Sequence, residues 1–366
     1  MRIESLEYEE LHSGWRLNET TFDAGVTLLV GISGAGKTRI LTAIRNICSI
    51  ASSNSIEPSH PIRFKLVFSL SDGARYTWHG ETLDAGEDCV MFEEYLVVDG
   101  VEIFSRKRGL LSFRGKEMPS LSADMSGLRI FAQDENIAHA IRGFENTILI
   151  NHGKPPQWKA INISKAEFEG YKQKFPTIEE LRNSDLPLQL RVNLSSYVAK
   201  KEFKEITSRF MDVFRNIKHV SFFTLAGGEQ WLSYLMATEK DVKMPIGFDE
   251  LSSGMLNMFQ LIASCYLWPE DTLVLIDEFE SSMGMNCLDD ATDLVLETGR
   301  RMQFILTSHH PYVINNIRPE HWKIVTRNGS VVSTHDAGEV GIGTSHHTAF
   351  TQLMNTPEYA QGIMSE

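Results

Sequence analysis

Apolar and polar residues alternate with a period of two at the beginning of the chain and with a helical period soon afterwards. Residues 2–30 alternate from Ile3 onward and end in the apolar run Val26–Val30. This pattern predicts antiparallel strands that lead into one buried parallel strand. From about Lys37 to Ile50 the apolar residues recur every three or four positions, which predicts a helix shortly after that strand.

The middle of the chain changes from a strand pattern to a helix pattern. Residues 62–104 favour strands, and Asp99-Gly100 between two valines predicts a hairpin turn. Leu128–Phe131 is a short apolar run that we interpret as a strand. Beyond it the pattern predicts helices at 135–148, 164–172, 177–182 and 195–216, and then strands within 219–239.

Strands and helices alternate in the last third of the chain. The pattern predicts a helix at 253–267, a strand at 272–276, a helix at 286–299, a strand at Gln303–Thr307, a strand at 322–326 and a helical tail near 347–363. Such alternation is typical of a parallel sheet that is covered on both faces.

These patterns predict an α/β fold with a parallel core sheet, N-terminal antiparallel strands and an inserted helical lobe. We expect the core to be split in the sequence. Its first part covers 1–135, the lobe covers 136–245, and the second part of the core covers 246–366.

Composition narrows the class of protein. The chain is 42% hydrophobic and contains no run of about 18 apolar residues, so we expect no membrane-spanning helix. No apolar signal core follows Met1, and the four cysteines include no CxxC pair, so we expect a cytoplasmic protein with reduced thiols. The net charge of −13 argues against a protein that coats DNA through a generally basic surface.

A glycine-rich loop stands between the predicted buried strand and the following helix. Its residues are Gly31, Ile32, Ser33, Gly34, Ala35, Gly36, Lys37 and Thr38. The glycines allow backbone N–H groups to point into a concave loop, which binds phosphate together with the helix N-terminus. In this arrangement Lys37 reaches the β- and γ-phosphates and the Thr38 hydroxyl binds Mg²⁺. The alternative is a glycine-rich turn without a ligand.

Two acidic residues follow the apolar run Leu273–Ile276. Asp277 ends this predicted strand, at the edge of the sheet where ligands bind in open α/β folds. A carboxylate there can hold Mg²⁺, directly or through water, and Glu278 beside it can polarise an attacking water. The alternative is that both acids only favour the start of the next helix.

A third motif connects these elements with a known family. The segment Leu251-Ser252-Ser253-Gly254-Met255 resembles the ABC signature, usually written LSGGQ. With the phosphate loop and the Asp-Glu pair, the chain resembles the SMC/Rad50/RecF class of ABC-type ATPases. In that class Ser252, Ser253 and Gly254 would contact the γ-phosphate of ATP held by a second subunit. Ser252 also suits the N-cap of the predicted helix, and the two interpretations are compatible.

Two further assignments follow from the resemblance. The segment from Leu306 to Tyr312 is similar to the switch-histidine loop of AAA15/AAA21-type ATPases, in which His309 would sense the γ-phosphate. Metal binding by His309 and His310 together is disfavoured because neighbouring side chains on an extended segment point apart. Gln133, after the predicted strand Leu128–Phe131, occupies the place of a Gln that contacts Mg²⁺. An ordinary surface glutamine is the alternative.

The resemblance implies ATP and Mg²⁺ as cofactors and a homodimer, or a higher homo-oligomer, with ATP between its ATPase heads. Glu278, Lys37 and His309 would act in hydrolysis. Between Thr38 and Leu251 there are 213 residues (251 − 38), without a heptad run, so long coiled-coil arms are not expected. Only 57 residues follow His309 (366 − 309), and no HNH-like metal cluster is present.

We therefore expect any nuclease or toxin to be a separately encoded effector. Short ATPases of this kind resemble the ATPase subunits of the PARIS, Septu and retron-associated anti-phage systems.

Two alternatives to this anti-phage switch remain. One is a RecF-like DNA repair or recombination clamp, which would bind nucleic acid through local basic segments. These segments comprise Arg106, Lys107, Arg108, Arg114 and Lys116, and on a predicted helix Lys200, Lys201 and Lys204. Alternatively, both basic segments are ordinary charged surface in contact with solvent. The other alternative is a scaffold that binds ATP without appreciable hydrolysis.

Overall fold

The computed structural model describes residues 1–53, 60–84, 89–107, 110–119, 123–151, 157–299, 301–343 and 346–362. The strands, in chain order, are β1 Arg2–Glu10, β2 Trp15–Thr21, β3 Val26–Val30, β4 Ile62–Ser69, β5 Arg75–Asp84, β6 Cys89–Val98, β7 Val101–Lys107, β8 Leu110–Phe113, β9 Lys116–Met118, β10 Ile148–Asn151, β11 Ile161–Ser164, β12 Ile217–Gly227, β13 Gln230–Glu239, β14 Ile246–Gly247, β15 Leu273–Asp277, β16 Gln303–Thr307, β17 Trp322–Asn328 and β18 Val331–Asp336.

The α-helices, in chain order, are α1 Lys37–Ser52, α2 Gly127–Ile130, α3 Glu135–Glu145, α4 Lys165–Lys174, α5 Ile178–Arg182, α6 Leu188–Val198, α7 Lys200–Val213, α8 Ser253–Leu267, α9 Met285–Thr298, α10 Pro311–Asn316, α11 His346–Asn355 and α12 Pro357–Ala360. Short 3₁₀ turns cover Phe248–Glu250 and Pro319–His321. Among the described residues, no helix combines the length and the apolar character that crossing a membrane requires.

The chain divides into two compact units. The first contains Met1–Ile150, Asp271–Phe279 and Thr298–Glu366, and the second contains Asn151–Glu270 and Glu280–Glu297. These limits differ from the expected boundaries at 135 and 245. Helix α3 packs on α1 and so falls with the first unit, whereas α8 packs on α6 and α7 and so falls with the second.

One large sheet organises the first unit. Its strand order is β10-β15-β16-β3-β17-β18-β2-β1-β4-β5-β6-β7-β8-β9. Strand β16 lies between β15 and β3 and is parallel to both, and β17 is parallel to β3 on the other side. From β2 through β1 and on to β9 the pairing is antiparallel. The predicted combination of a parallel core and N-terminal antiparallel strands is confirmed.

The core of the first unit forms where α1 covers the sheet. The helix buries Ile40, Leu41, Ile44 and Ile47, which are the apolar positions that its sequence period had indicated. Every residue of β3 and of β16 is buried, as expected for parallel strands covered on both faces. The predicted hairpin between β6 and β7 is also confirmed.

The second unit combines helices with a small antiparallel sheet. Strands β11, β13 and β12 pair in this order, and β14 pairs with β13. An aromatic contact joins α7 to the 3₁₀ turn after β14 through Phe210 and Phe248, whose rings lie 5.6 Å apart. The inserted lobe is therefore α+β, with its strands close to the predicted alternating segment 219–239.

Two predictions about elements were wrong. The run Leu128–Phe131 is not a strand, because Gly127–Ile130 forms the short helix α2. The helix predicted at 195–216 is two helices, α6 and α7, which are separated at Ala199. Ala199 is buried and leaves the helical conformation, with φ −135° and ψ 54°.

Candidate nucleotide site

Three parallel strands bring the predicted site residues to one edge of the sheet. The glycine-rich loop follows β3, Asp277 ends β15, and Thr307 ends β16 between them. The register pairs Thr307 with Leu29 and its neighbour Leu306 with Ile276. Because the carboxyl ends of parallel strands meet at one edge, residues distant in sequence share this edge.

These residues line one cavity of about 330 Å³ within the first unit. Its lining comprises Ser33, Gly34, Gly36, Lys37, Thr38, Arg39, Asp277, Glu278, Thr307, His309 and Arg327. The volume lies at the lower end of the range of about 300–1,000 Å³ that ligand pockets typically have. The structure thus brings Lys37, Thr38, Asp277, Glu278 and His309 together.

Steric contacts explain the glycines at two positions of the loop. A Cβ atom on Gly31 would lie 2.7 Å from the carbonyl oxygen of Val325, which is closer than real contacts allow. Gly36 adopts φ 115°, a conformation that disfavours larger residues, and its Cβ would lie 3.0 Å from a methyl group of Val332. The loop is therefore pressed against the neighbouring strands β17 and β18.

The start of α1 is suited to an anion. Gly36 is the N-cap residue and, having no side chain, makes no side-chain capping hydrogen bond. Lys37 is only 5% exposed, and its Nζ donates to the carbonyl oxygens of Gly31 (2.7 Å) and Ile32 (3.0 Å). A helix N-terminus with its dipole and a nearby ammonium group together favour the binding of a polyphosphate.

Two oxygen ligands suited to Mg²⁺ lie next to each other at the loop. The Thr38 hydroxyl donates to Oδ1 of Asp277 at 3.1 Å. A hydroxyl and a carboxylate are hard oxygen donors, which Mg²⁺ prefers alongside substrate phosphates and water. These residues fit a magnesium nucleotide: Thr38 and Asp277 would hold the ion, while Lys37 and the loop N–H groups would hold the phosphates.

Glu278 has an unusual backbone conformation. Its φ is 50°, in the left-handed region that residues other than glycine seldom occupy, and the residue is exposed and lines the cavity. The exposed His309 lines the same cavity. Its neighbour His310 caps α10, since Nδ1 accepts the N–H of Tyr312 at 3.2 Å. His310 therefore has a structural role as a helix cap, which accounts for its position without a bound metal.

Gln133 is placed differently from the expectation. It lies exposed in the turn between α2 and α3, not at a strand end, and it is not among the residues that line the cavity. Gln133 therefore does not occupy the strand-end position on which its assignment to Mg²⁺ was based.

The signature segment belongs to the second unit. Ser252 caps α8, accepting the N–H of Met255 at 3.4 Å, and Ser252 and Ser253 are both exposed. A Cβ on Gly254 would lie 3.1 Å from the carbonyl oxygen of Ser282 and 3.4 Å from the nitrogen of Gly284. Glycine therefore allows the first turn of α8 to pack closely on the segment 282–284.

Sequence reasoning missed two arginines of the cavity. Arg39, in the first turn of α1, pairs with Glu10 at 2.6 Å and lies 4.4 Å from the ring centre of Trp15. Arg327 donates to the carbonyl oxygens of Gly329 (2.8 Å) and Gly34 (3.4 Å). Position after the phosphate loop could have indicated Arg39, but Arg327 comes from β17, and only the strand order brings it there.

Only part of the basic segment around residue 106 is exposed to solvent. Arg106 is 3% exposed and donates to the carbonyl oxygen of Met125 at 3.1 Å, and burial lowers its pKa. Arg114 pairs with Asp134 at 2.6 Å, and Arg108 lies outside the described residues. The lysines of α7 are exposed, including Lys201, whose side chain is 82% exposed.

Comparison with known proteins identifies a family. The profile of a family described as "AAA domain, putative AbiEii toxin, Type IV TA system" matches residues 121–315, which is 195 of 366 residues (315 − 121 + 1). No curated protein matches the chain significantly.

Solved structures also match the fold. An SMC head bound to the C-terminal winged-helix domain of ScpA has a TM-score of 0.52 at 13% identity, covering 92% of this chain and 97% of that one. The SMC head domain from Thermotoga maritima has a TM-score of 0.46 at 14% identity, covering 92% and 99% of the two chains. The first similarity shows the fold of an ABC-type ATPase head.

Proposed function

The chain belongs to this AAA-domain family of ABC-type ATPases, and we propose from that premise that it binds and hydrolyses Mg-ATP to control its own dimerisation. The observation that carries the proposal is the single cavity that gathers Lys37, Thr38, Asp277, Glu278 and His309. Phosphoryl transfer requires groups that bind the phosphates, hold Mg²⁺ and position the attacking nucleophile, and these residue types are suited to those roles.

The chemistry follows from the places of the side chains. Lys37 and the N-terminus of α1 bind the β- and γ-phosphates and offset the charge that develops on them. Mg²⁺, when bound, adds further positive charge at the phosphates. Glu278 is exposed and lines the cavity, and its carboxylate orients a water and accepts its proton. His309 contacts the γ-phosphate from the end of β16 and so distinguishes ATP from ADP.

A second copy of the chain completes the site in this proposal. Ser252, Ser253 and Gly254 lie at the N-terminus of α8, whose dipole favours a phosphate. The exposed serines are free to approach the γ-phosphate held by the other subunit. ATP then joins the two heads, and hydrolysis allows them to separate.

The proposed output is control of a separate effector. The name of the matching family includes a toxin of a toxin–antitoxin system, and one similar SMC head binds a winged-helix domain. Both support an ATPase that acts on a partner, in anti-phage defence in our proposal. For the repair-clamp alternative, Arg106 is buried and Arg114 is paired with Asp134, which leaves the exposed Lys107 and Lys116 and the α7 lysines as basic surface.

The first prediction concerns hydrolysis. Glu278→Gln removes the proton acceptor but keeps the size of the side chain, so we expect ATP binding with hydrolysis reduced by at least about 100-fold. Lys37→Ala instead weakens ATP binding. Steady-state phosphate release and nucleotide affinity, measured on the same preparations, separate the two effects. Hydrolysis by Glu278→Gln at the wild-type rate would show that the base is assigned wrongly.

The same variant tests the choice of partner. Tagged Glu278→Gln, captured from its native host with Mg-ATP, should bring down one stoichiometric protein that Lys37→Ala does not retain. Recovery of DNA in place of a protein, released by nuclease, would favour the repair clamp. Tight ATP binding by the wild-type protein without turnover would favour the scaffold.

A further inference from the structure

Thr307, the last residue of β16, has contacts that its position at a strand end does not by itself require. It is 1% exposed and lies between the ends of β15 and β3. Its hydroxyl donates to Oδ1 of Asp277 at 2.7 Å and accepts the backbone N–H of Glu278 at 2.7 Å. One hydroxyl thus holds the carboxylate proposed for Mg²⁺ and the backbone of the proposed base.

The backbone of Thr307 adds a second contact to the same turn. Its carbonyl oxygen accepts the N–H of Phe279 at 2.9 Å. Two successive N–H groups, those of Glu278 and Phe279, are therefore fixed by a single residue. Glu278 between these contacts has φ 50°, a conformation that persists only where neighbouring groups hold it.

The carboxylate of Asp277 is fixed from two sides. Oδ1 accepts from Thr307 at 2.7 Å and from the Thr38 hydroxyl at 3.1 Å. The Thr307 hydroxyl therefore orients Asp277 toward the residue that would share the metal ion with it. Groups that orient metal ligands in this way commonly change metal affinity or activity by roughly 10- to 100-fold when they are removed.

We propose that Thr307 is a positioning residue that fixes Asp277 for Mg²⁺ and Glu278 for the attacking water. This inference rests on the proposed ATP hydrolysis. It gives the Thr307 hydroxyl a role in that reaction. Thr307 also lies two residues before His309, the residue proposed to sense the γ-phosphate.

The test compares Thr307→Val with Thr307→Ser. Valine has nearly the shape of threonine but lacks the hydroxyl, whereas serine keeps it. We expect Thr307→Val to lower kcat by roughly 10- to 100-fold and to raise the Mg²⁺ concentration needed for half-maximal activity, with the KM for ATP nearly unchanged. Thr307→Ser should restore both quantities to near the wild-type values.

Thr326→Val is the matched control. Thr326 is also a buried threonine on a strand of the first unit, and its hydroxyl contacts His335 at 3.1 Å. It should keep the wild-type kcat and Mg²⁺ dependence. If Thr307→Val does not fold, Thr307→Ala takes its place in the same comparison.

Three results would overturn the inference. The first is a wild-type kcat in Thr307→Val; the other two are a kcat in Thr307→Ser or in Thr326→Val that is as low as that of Thr307→Val. Failure of the proposed function is separate, since the wild-type protein would then not hydrolyse ATP. In that case the Mg²⁺ dependence of ATP affinity decides: a Thr307→Val variant with the wild-type dependence refutes the positioning role.

Discussion

Gly31 shows how one residue of the phosphate loop depends on a distant strand. Its backbone lies so close to Val325 of β17 that a Cβ atom would be 2.7 Å from a carbonyl oxygen. The sequence indicates a glycine for phosphate binding, and the structure adds a packing requirement from the other side. The sequence motif could not reveal this second requirement, because Val325 is 294 residues away (325 − 31).

Gly31→Ala should therefore lower stability as well as nucleotide binding. We expect the free energy of unfolding to fall by about 1–3 kcal/mol, as for other overpacked sites, and ATP affinity to fall with it. Gly338→Ala is the control, since a Cβ there meets nothing within 4 Å and its φ is not positive. Chemical denaturation measures both variants, and equal stability of the two would contradict the steric explanation.

Gln133 shows where local sequence fails. A short apolar run such as Leu128–Phe131 can be a strand or a helix, and its period does not distinguish them. Here Ser126 caps the helix, and the buried carboxylate of Glu94 accepts the N–H of Gly127 at 2.7 Å. Glu94 comes from β6, so the contact that favours the helix is invisible in the local sequence.

At the scale of elements, the strands and helices that carry the sequence motifs were predictable to within one or two residues. Helix α8 and strand β16 begin and end where the apolar period indicated. Strand β16 is fully buried and α8 is largely buried, so most of their positions require apolar residues and the pattern in the sequence is clear. The α6–α7 region is different, because nothing in the period of 195–216 indicates the break at Ala199.

Arg191 stabilises the helices of the second unit. It is 2% exposed and donates to the carbonyl oxygens of Leu186 (2.8 Å), Arg182 (2.8 Å) and Leu267 (3.1 Å). It also donates to the carbonyl oxygen of Ser184. Burial lowers its pKa to about 10, so it stays charged at neutral pH. The contact to Leu267 ties α6 to the C-terminal end of α8.

Arg191→Met should leave these carbonyl groups without a donor and lower the free energy of unfolding by roughly 3 kcal/mol. Arg209→Met is the control: Arg209 pairs with Glu297 at 2.6 Å, but this pair lies at the surface, with side chains 37% and 63% exposed, so we expect a loss of about 1 kcal/mol or less. Denaturation followed by circular dichroism compares them. A loss for Arg191→Met no greater than for Arg209→Met would refute this role.

At the scale of the whole molecule, the cavity and the signature segment lie in different compact units. The residues that line the cavity all belong to the first unit, and Ser252–Gly254 belong to the second. The sequence contains both motifs, and the family resemblance assigns them to opposite subunits of a dimer. The structure of one chain contains both motifs, and in our proposal the cavity of one copy pairs with the signature segment of the other.

Mixing two inactive variants tests this claim most directly. Lys37→Ala disables the phosphate loop and keeps the signature, whereas Ser252→Arg blocks the signature and keeps the phosphate loop. Each variant alone should have almost no ATPase activity. An equimolar mixture should recover a clear fraction of the wild-type rate, because a mixed dimer contains one intact loop that faces one intact signature. A mixture as inactive as its components, with both variants folded, or full activity of Ser252→Arg alone, would show that the two motifs do not act together across subunits.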